Sequence, residues 1–361
     1  LLSLGFVTLD EQQDHTYCTE VAKCARRYGI SVCRFSPLSI DPQTENVRGF
    51  LFQEETNEWT NAVFAIPPFL YDRCFYGHDE RSKKAKPIMN WLKQRPDLTF
   101  LGYGLPGKWD VYEALSSHPL LSAYVPPTVR LERADDVLAL LRREQAAIAK
   151  PVHGSGGRGI GIFQKKGKAL SVQDSHGQEQ AVIARRSELE QLLASWSRRG
   201  EYVLQPLLQL STPEGEPFDL RILLQKDENG RWVERVRAVR VGRPGAWVAN
   251  VRAGADIRPF SEWLDRLSSS KRLFVLDGVE TIIRTLPVYI DHMFGPLFEI
   301  GLDLGATDNG AVWILDVNSK PGRKVAHLLP RSNKTNCTKR RFGIACFWPE
   351  GEKANDLHVD H

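Results

Sequence analysis

Residues 301–323 read GLDLGATDNGAVWILDVNSKPGR. Two apolar runs, Leu297–Leu304 and Ala311–Val317, flank the turn chemistry of Thr307–Gly310, so the pattern predicts a hairpin of strands. Period-two alternation places Asp316 and Asn318 on one face of the second strand. The hairpin brings Asp303, thirteen residues upstream, beside Asp316. Two carboxylates and an amide oxygen are hard ligands suited to Mg²⁺, and such a set can hold a triphosphate. Asn318-Ser319-Lys320-Pro321-Gly322 also reads as a turn. A turn does not account for Asp316 inside an apolar strand, where an unpaired carboxylate is costly and wants a partner.

Upstream, residues 149–163 read AKPVHGSGGRGIGIF. Lys150 closes an expected strand and is followed by Gly154, Ser155, Gly156, Gly157, Gly159 and Gly161. Glycines let backbone N–H groups approach phosphate oxygens, and the lysine supplies a point charge. No G-K-[ST] ends the run, so it is not a Walker loop. A plain glycine-rich hairpin turn with Arg158 at its tip fits the same residues. Between the two stretches lies Asp219-Leu220-Arg221, with Arg240 on the next expected strand. These residues fit a surface ion pair worth little. They also fit an arginine pair that neutralises a transferring phosphoryl group. Asn250-Val251-Arg252-Ala253-Gly254 follows and suits the wall of the same pocket.

The first hundred residues alternate short apolar runs with helical patterns. Strands are expected at Leu4–Leu9, Ser31–Phe35, Val47–Phe52, Ala62–Ile66 and Thr99–Tyr103. Helices are expected at Thr16–Tyr28, stopped by Gly29, and at Ser82–Lys93. This alternation predicts a mostly parallel α/β sheet, and no G-x-G-x-x-G follows the first strand. A boundary falls in the Gly-rich stretch at Gly102–Gly107. Helices then follow at Lys108–Leu115, Ala134–Arg143, Ser187–Ser197 and 271–292. Strands are expected at Ala146–Lys150, twice more after the Gly-rich loop, at Tyr202–Gln205, and as a long antiparallel pair within Phe218–Val241 turning at Glu228–Gly230. The tail Arg331–His361 has Lys/Arg clusters and little aliphatic periodicity, and reads as loosely attached.

The 361 residues are 42% hydrophobic and 25% charged, which excludes wholesale disorder and a disulfide scaffold. The net charge of +4 is spread along the chain, so no nucleic-acid footprint is expected. The six cysteines include no C-x-x-C pair and read as free thiols of a reducing, cytoplasmic compartment. No run is long enough to span a membrane, and LLSLGFVTL at the start reads as a strand rather than a signal peptide.

The order of these parts resembles the ATP-grasp superfamily: lysine and Gly-rich loop, then D-x-R, a distal arginine, and D…D-x-N-x-K-P-G. Within it the chain looks like the YheC/YheD endospore coat-associated branch. The resemblance is carried by YDR at 71–73, VPPT at 125–128, AKPVHGSGGRGIGIF at 149–163, FDLR at 218–221, VANVRAGA at 248–255 and GLDLG…WILDVNSKPGR at 301–323. It covers about residues 1–330 and implies an α/β (α+β) fold. A Rossmann-like pre-ATP-grasp domain would occupy 1–105. A two-lobed ATP-grasp domain with mixed and antiparallel sheets would occupy 106–330, with an ATP-lid lobe at 108–206 and a metal lobe at 207–330. The segment 331–361 stands apart, where the family usually continues into a terminal helical segment.

The resemblance implies that Lys108 and Lys150 bind ATP, with Gly154, Ser155, Gly156, Gly157 and Gly159 as a lid over the phosphates. Gln205 stands beside adenine, where relatives often carry Glu. Arg221 and Arg240 would face the phosphates or an acyl phosphate, and Lys320 would reach the substrate side. Asp303, Asp316 and Asn318 would ligate Mg²⁺; Asp316 is one methylene shorter than the Glu of many relatives. Arg73 and His153 are expected in structural roles. The implied activity is an ADP-forming ligase that activates a carboxylate for attack by an amine or similar nucleophile. Spore-coat proteins are the implied partners. A nucleotide-binding coat protein without ligase activity and a small-molecule kinase are the competing readings.

Overall fold

A computed structural model describes residues 2–77, 79–154, 157–212, 214–249, 254–323 and 325. Ser155, Gly156, Asn250–Ala253, Cys337, Cys346 and the Arg331–His361 tail lie outside the described residues. Three six- or five-stranded sheets carry the fold.

The first sheet comprises β1 (Leu2–Val7), β2 (Ile30–Phe35), β3 (Asn46–Gln53), β4 (Glu58–Ala65), β5 (Phe69–Asp72) and β6 (Thr99–Phe100), in the order β4-β3-β2-β1-β5-β6. The pairs β1–β2, β1–β5 and β5–β6 are parallel. β3 and β4 form an antiparallel hairpin at one edge. Helix α1 (His15–Ala25) packs Tyr17, Cys18, Val21, Ala22 and Ala25 onto Leu4, Phe6 and Val32. A 3-10 turn prolongs it to Gly29, whose φ of 64° is the left-handed stop the sequence expects. Helix α2 (Glu80–Gln94) is capped by Asp79, whose carboxylate accepts from Ser82 N–H at 2.8 Å. Two expectations shift here. β5 was not anticipated as a strand, and the Thr99–Tyr103 strand shrinks to two residues because Tyr103 N–H turns away to the Pro296 carbonyl.

The second sheet is wholly antiparallel. Helix α3 (Lys108–Ser117) leads into β7 (Val129–Arg130), α4 (Ala134–Arg143), β8 (Ala146–Pro151), β9 (Gly161–Lys166), β10 (Ala169–Asp174), β11 (Glu179–Ile183), α5 (Arg186–Ser197) and β12 (Tyr202–Pro206). The order is β11-β10-β9-β8-β12-β7. Three strands, not two, follow the Gly-rich loop, because β11 pairs onto β10 across a tight turn. Ala147, Ala149 and Leu204 face α4 and α5 in one core. Alternation therefore sends Ile148, Lys150, Val203 and Gln205 to the opposite face.

The third sheet holds β13 (Phe218–Lys226), β14 (Trp232–Val241), β15 (Asp256–Pro259), β16 (Glu299–Ala306) and β17 (Val312–Asn318), ordered β15-β14-β13-β16-β17, again all antiparallel. A short helix, α6 (Phe260–Asp265), precedes the long α7 (Ser269–Phe294). β15 and α6 have no counterpart in the sequence reading. Val275, Val279, Ile282, Leu286 and Ile290 of α7 fall at spacings of three and four, one helical face. That face buries Leu220, Ile222, Leu224, Ile300, Leu302 and Leu304. Each buried side chain of about this size stabilises by roughly 1.5–3 kcal/mol. Among the described residues, no helix is long and apolar enough to cross a membrane.

Candidate functional site

The α7-facing residues alternate with polar ones, and those polar residues form a row across the other face of the third sheet. Arg240 lies opposite Asp219, Arg221 opposite Asp303, and Asp303 opposite Asp316. The placement of Asp316 depends on a bulge. Leu304 pairs with Ile314 but Asp303 pairs with Asp316, so Leu315 is an extra residue in β17. Ile314 is buried toward α7, and strict alternation would send Asp316 after it into the core. The bulge turns Asp316 and Asn318 to the cleft instead.

The side chains close into one charged network. Arg221 Nη1 donates to Asp303 Oδ1 at 2.6 Å, and Arg240 Nη2 lies 3.0 Å from Asp303 Oδ2. Arg240 also grips Asp219 bidentately, Nε to Oδ1 at 2.6 Å and Nη2 to Oδ2 at 2.7 Å. Asn318 Nδ2 donates to Asp316 Oδ2 at 3.0 Å, and Lys108 Nζ donates to Asp316 Oδ1. Lys150 Nζ reaches across from the second sheet to the Leu315 carbonyl at 3.3 Å, so the bulge also supplies an acceptor. The pair Asp219–Arg240 is largely buried, not the surface pair that would count for little.

Four cations thus face three carboxylates. Burial opposes ionisation of Asp303, yet Arg240 and Arg221 outweigh it and hold that carboxyl well below its usual range. Burial pushes Asp219 up against the pull of Arg240, and the charge on Asp303 adds to the rise. Desolvation pulls the Lys150 ammonium down to about 8 despite the attraction of Asp316, and Lys108 reinforces the fall.

Lys108, Lys150 and Asp316 sit at the polar end of a cleft between the two antiparallel sheets and α3. Its other walls are largely apolar: Val111, Leu115, Val125, Val203, Ile314 and Val317. Gln205 and Thr128 mark the inner polar edge, with Gln205 Nε2 donating to Thr128 Oγ1 at 2.8 Å. The Gly-rich loop joins β8 to β9 beside Lys150, and Gly157 and Gly159 adopt φ of 72° and 73°, conformations that favour glycine. Gly154 is exposed on that loop.

Lys108, Lys150, Gln205 and Asp316 therefore line one cleft, and Arg221, Arg240, Asp303 and Asn318 adjoin Asp316 along the same face of the third sheet. Lys320 turns elsewhere: its Nζ lies 2.7 Å from Asp72 Oδ1 and donates to the Cys74 carbonyl at 3.1 Å, both at the end of β5. Arg73 is fully buried and bonds Glu299, Asp14 and the Pro321 carbonyl. His153 is exposed. Thr128, Tyr112, Asp72, Glu299 and Arg323 went unassigned in the sequence. The VPPT stretch contained Thr128, and the PGR ending contained Arg323. Among the described residues Cys18, Cys33 and Cys74 are buried thiols outside any disulfide.

A model of the YheC/D like ATP-grasp family matches residues 97–345. The chain is 38% identical over 328 residues to the endospore coat-associated protein YheC of Bacillus subtilis (strain 168), covering 90% of each chain. It is 23% identical over 321 residues to YheD of the same organism, covering 88% of this chain and 70% of that one. D-cycloserine synthetase DcsG superposes with a TM-score of 0.54 at 13% identity, over 91% of this chain and 95% of that one. The ADP complex of purK, N5-carboxyaminoimidazole ribonucleotide synthetase, gives 0.53 at 10% identity, over 91% and 73%. These two likenesses concern the fold alone. By the family match and the likeness to YheC together, the chain belongs to the YheC/D-like ATP-grasp family.

Proposed function

We propose that the protein is an Mg²⁺-dependent, ADP-forming ligase that activates a carboxylate by phosphorylation for attack by an amine or similar nucleophile. The observation that carries this reading is the junction of an apolar cleft with four convergent cations and an Asp-Asp-Asn oxygen set. The apolar end suits a purine. Gln205 and Thr128 supply polar contacts at its edge, and the Lys108–Lys150 end suits the polyphosphate. Residues 1–105 form the pre-ATP-grasp part in this reading, and 106–330 the nucleotide-binding part.

Asp303, Asp316 and Asn318 fit Mg²⁺ by donor type: two carboxylates side by side across a strand pair, and an amide on the same face. Among the described residues no group of three His, Cys, Asp or Glu side chains placed to hold a metal ion is found, and the third donor in this reading is the Asn318 amide. Bound there, Mg²⁺ would neutralise phosphate charge. Lys108, Arg221 and Arg240 rest on the same carboxylates, so binding requires them to exchange a carboxylate for phosphate oxygens. Arg221 and Arg240 are then aimed at the transferring group, Lys150 holds the chain of phosphates, and the Gly-rich loop covers them against water. The substrate carboxylate attacks the γ-phosphorus, ADP leaves, and the acyl phosphate transfers its acyl group to the nucleophile with release of phosphate.

The test is phosphate release with Mg²⁺·ATP against pooled carboxylates and amines, with ATP binding measured alongside. Asp316→Ala should abolish Mg²⁺-dependent ATP binding while the fold survives; unchanged binding removes the metal assignment. A second reading rests on the likeness to YheC, whose name places it with the endospore coat: a coat-associated nucleotide-binding protein without ligation. Tight ATP binding with no turnover in any pool would select it.

A further inference from the structure

Three lysines gather at the carboxyl end of β5, and the phosphoryl chemistry above uses none of them. Lys320 Nζ lies 2.7 Å from Asp72 Oδ1, and Lys93 Nζ lies 3.2 Å from Asp72 Oδ2. Two ammonium groups therefore share one buried carboxylate and leave a surplus positive charge. Lys86 precedes Lys93 by seven residues on α2, which puts both on one face of the helix about 10 Å apart along its axis. Lys86 Nζ sits 5.6 Å from the centre of the Tyr76 ring and Lys320 Nζ 5.3 Å from the same ring. Among the described residues Lys86 has no carboxylate partner. Lys93 and Lys320 are only partly exposed, which limits screening of their charge.

The position is as telling as the charge. The carboxyl ends of β1 and β5 form the edge at which open parallel sheets bind ligands. Lys320 is two residues beyond Asn318, so this edge adjoins the oxygen set proposed for the metal. Aromatic surface from Tyr76 and Phe100 floors the lysines, with Lys93 Nζ 5.8 Å from the Phe100 ring centre.

We infer that Lys86, Lys93 and Lys320 form a subsite for a second carboxylate of the substrate, beyond the one that is phosphorylated. The substrate class is a dicarboxylic acid or an acidic amino-acid unit. This rests on the ligase reading for its placement, but the subsite has its own binding test.

Matched acid–amide pairs are the probes: glutamate with glutamine, aspartate with asparagine, and glutarate with glutaramate. Phosphate release with Mg²⁺·ATP is measured for the unaltered protein and for Lys86→Glu and Lys86→Met. ATP binding reports an intact fold. At least one diacid should outperform its monoamide by about tenfold or more, and Lys86→Glu should erase that preference through KM. Lys86→Met should fall between. Equal use of acid and amide, or an unchanged preference in Lys86→Glu, overturns the subsite. Should no probe be turned over, equilibrium binding of the same pairs to the ATP-bound protein decides. Diacid binding that is lost in Lys86→Glu upholds the subsite while the ligase reading falls. Binding of no diacid overturns the subsite.

Discussion

Lys150 shows how one half-buried side chain can report nucleotide binding. Desolvation lowers its ammonium to about 8, against an ordinary 10.5, while Asp316 and Asp303 pull the other way. A polyphosphate beside it would favour the charged form and restore the higher value. ATP binding between about 8 and 10.5 should then be accompanied by proton uptake. Isothermal titration in buffers of different ionisation enthalpy measures that uptake, and Lys150→Met should remove it. No proton uptake at pH 9 in the unaltered protein would mean that the phosphates do not reach Lys150. The same shift has a stability sign. A lysine lowered on folding is protonated more readily in the unfolded chain, so its contribution disfavours the folded state below about 8 and improves as pH rises toward 10.5. Stability of the free protein should therefore rise over that window more in the unaltered chain than in Lys150→Met, as urea midpoints would show.

Among the elements, the β16–β17 hairpin carries most of the candidate site, and much of it could be read in advance. Turn residues and apolar runs marked both strands, and Asp303 and Asp316 do meet across them. The bulge could not be read, because Leu315 looks like any other apolar strand residue and only the paired register shows it to be extra. The same limit explains β5 and β15. Each has four residues, and each is held by a neighbour far along the chain rather than by its own pattern. Lys320 is a related case: its place in the KPG turn pointed toward chemistry, while its partners lie on β5. Gly301 offers a test within the hairpin. A Cβ there would lie 2.7 Å from Pro321 Cβ and 2.8 Å from Arg221 Nη2. The guanidinium can retreat but the proline ring cannot do so freely. Gly301→Ala should cost about 1–3 kcal/mol of stability. It should also draw Arg221 off Asp303, lowering kcat about tenfold or more with a smaller change in ATP affinity. Steady-state kinetics and a urea melt measure both, and normal kcat would detach Arg221 from the transferring phosphoryl group.

On the scale of the whole molecule, the first sheet is fastened to the third by a buried ionic knot. Glu299, 1% exposed, receives Arg73 Nη1 at 2.6 Å and also Arg323 Nη2, which lies 3.0 Å and 3.1 Å from the Tyr17 and Tyr71 hydroxyls. Arg73 completes its contacts on Asp14 and on the Pro321 carbonyl. The first sheet contributes Tyr71 on β5 and Arg73 just after it, its covering helix α1 contributes Tyr17, and Glu299 begins β16 while Arg323 ends the KPGR turn. The knot therefore fixes the segment that carries Asn318 and Lys320 relative to the edge proposed for the substrate. Breaking a buried pair from one side strands the other charges, typically at about 3–5 kcal/mol. Glu299→Gln should cost that much in urea denaturation. A hydrophobic replacement of the whole set, Arg73→Met with Glu299→Leu and Arg323→Met, should cost less than the sum of the three single changes, because, of the knot's charges, only that of the part-exposed Asp14 loses its partner. Additive costs would show that the three side chains act separately. If the knot holds the two sheets in register for chemistry, Glu299→Gln should also raise the KM for the carboxylate substrate more than the affinity for ATP changes, since the cleft proposed for ATP is walled by the second and third sheets and α3. Loss of ATP affinity with an unchanged substrate KM would place the knot's influence on the nucleotide side instead.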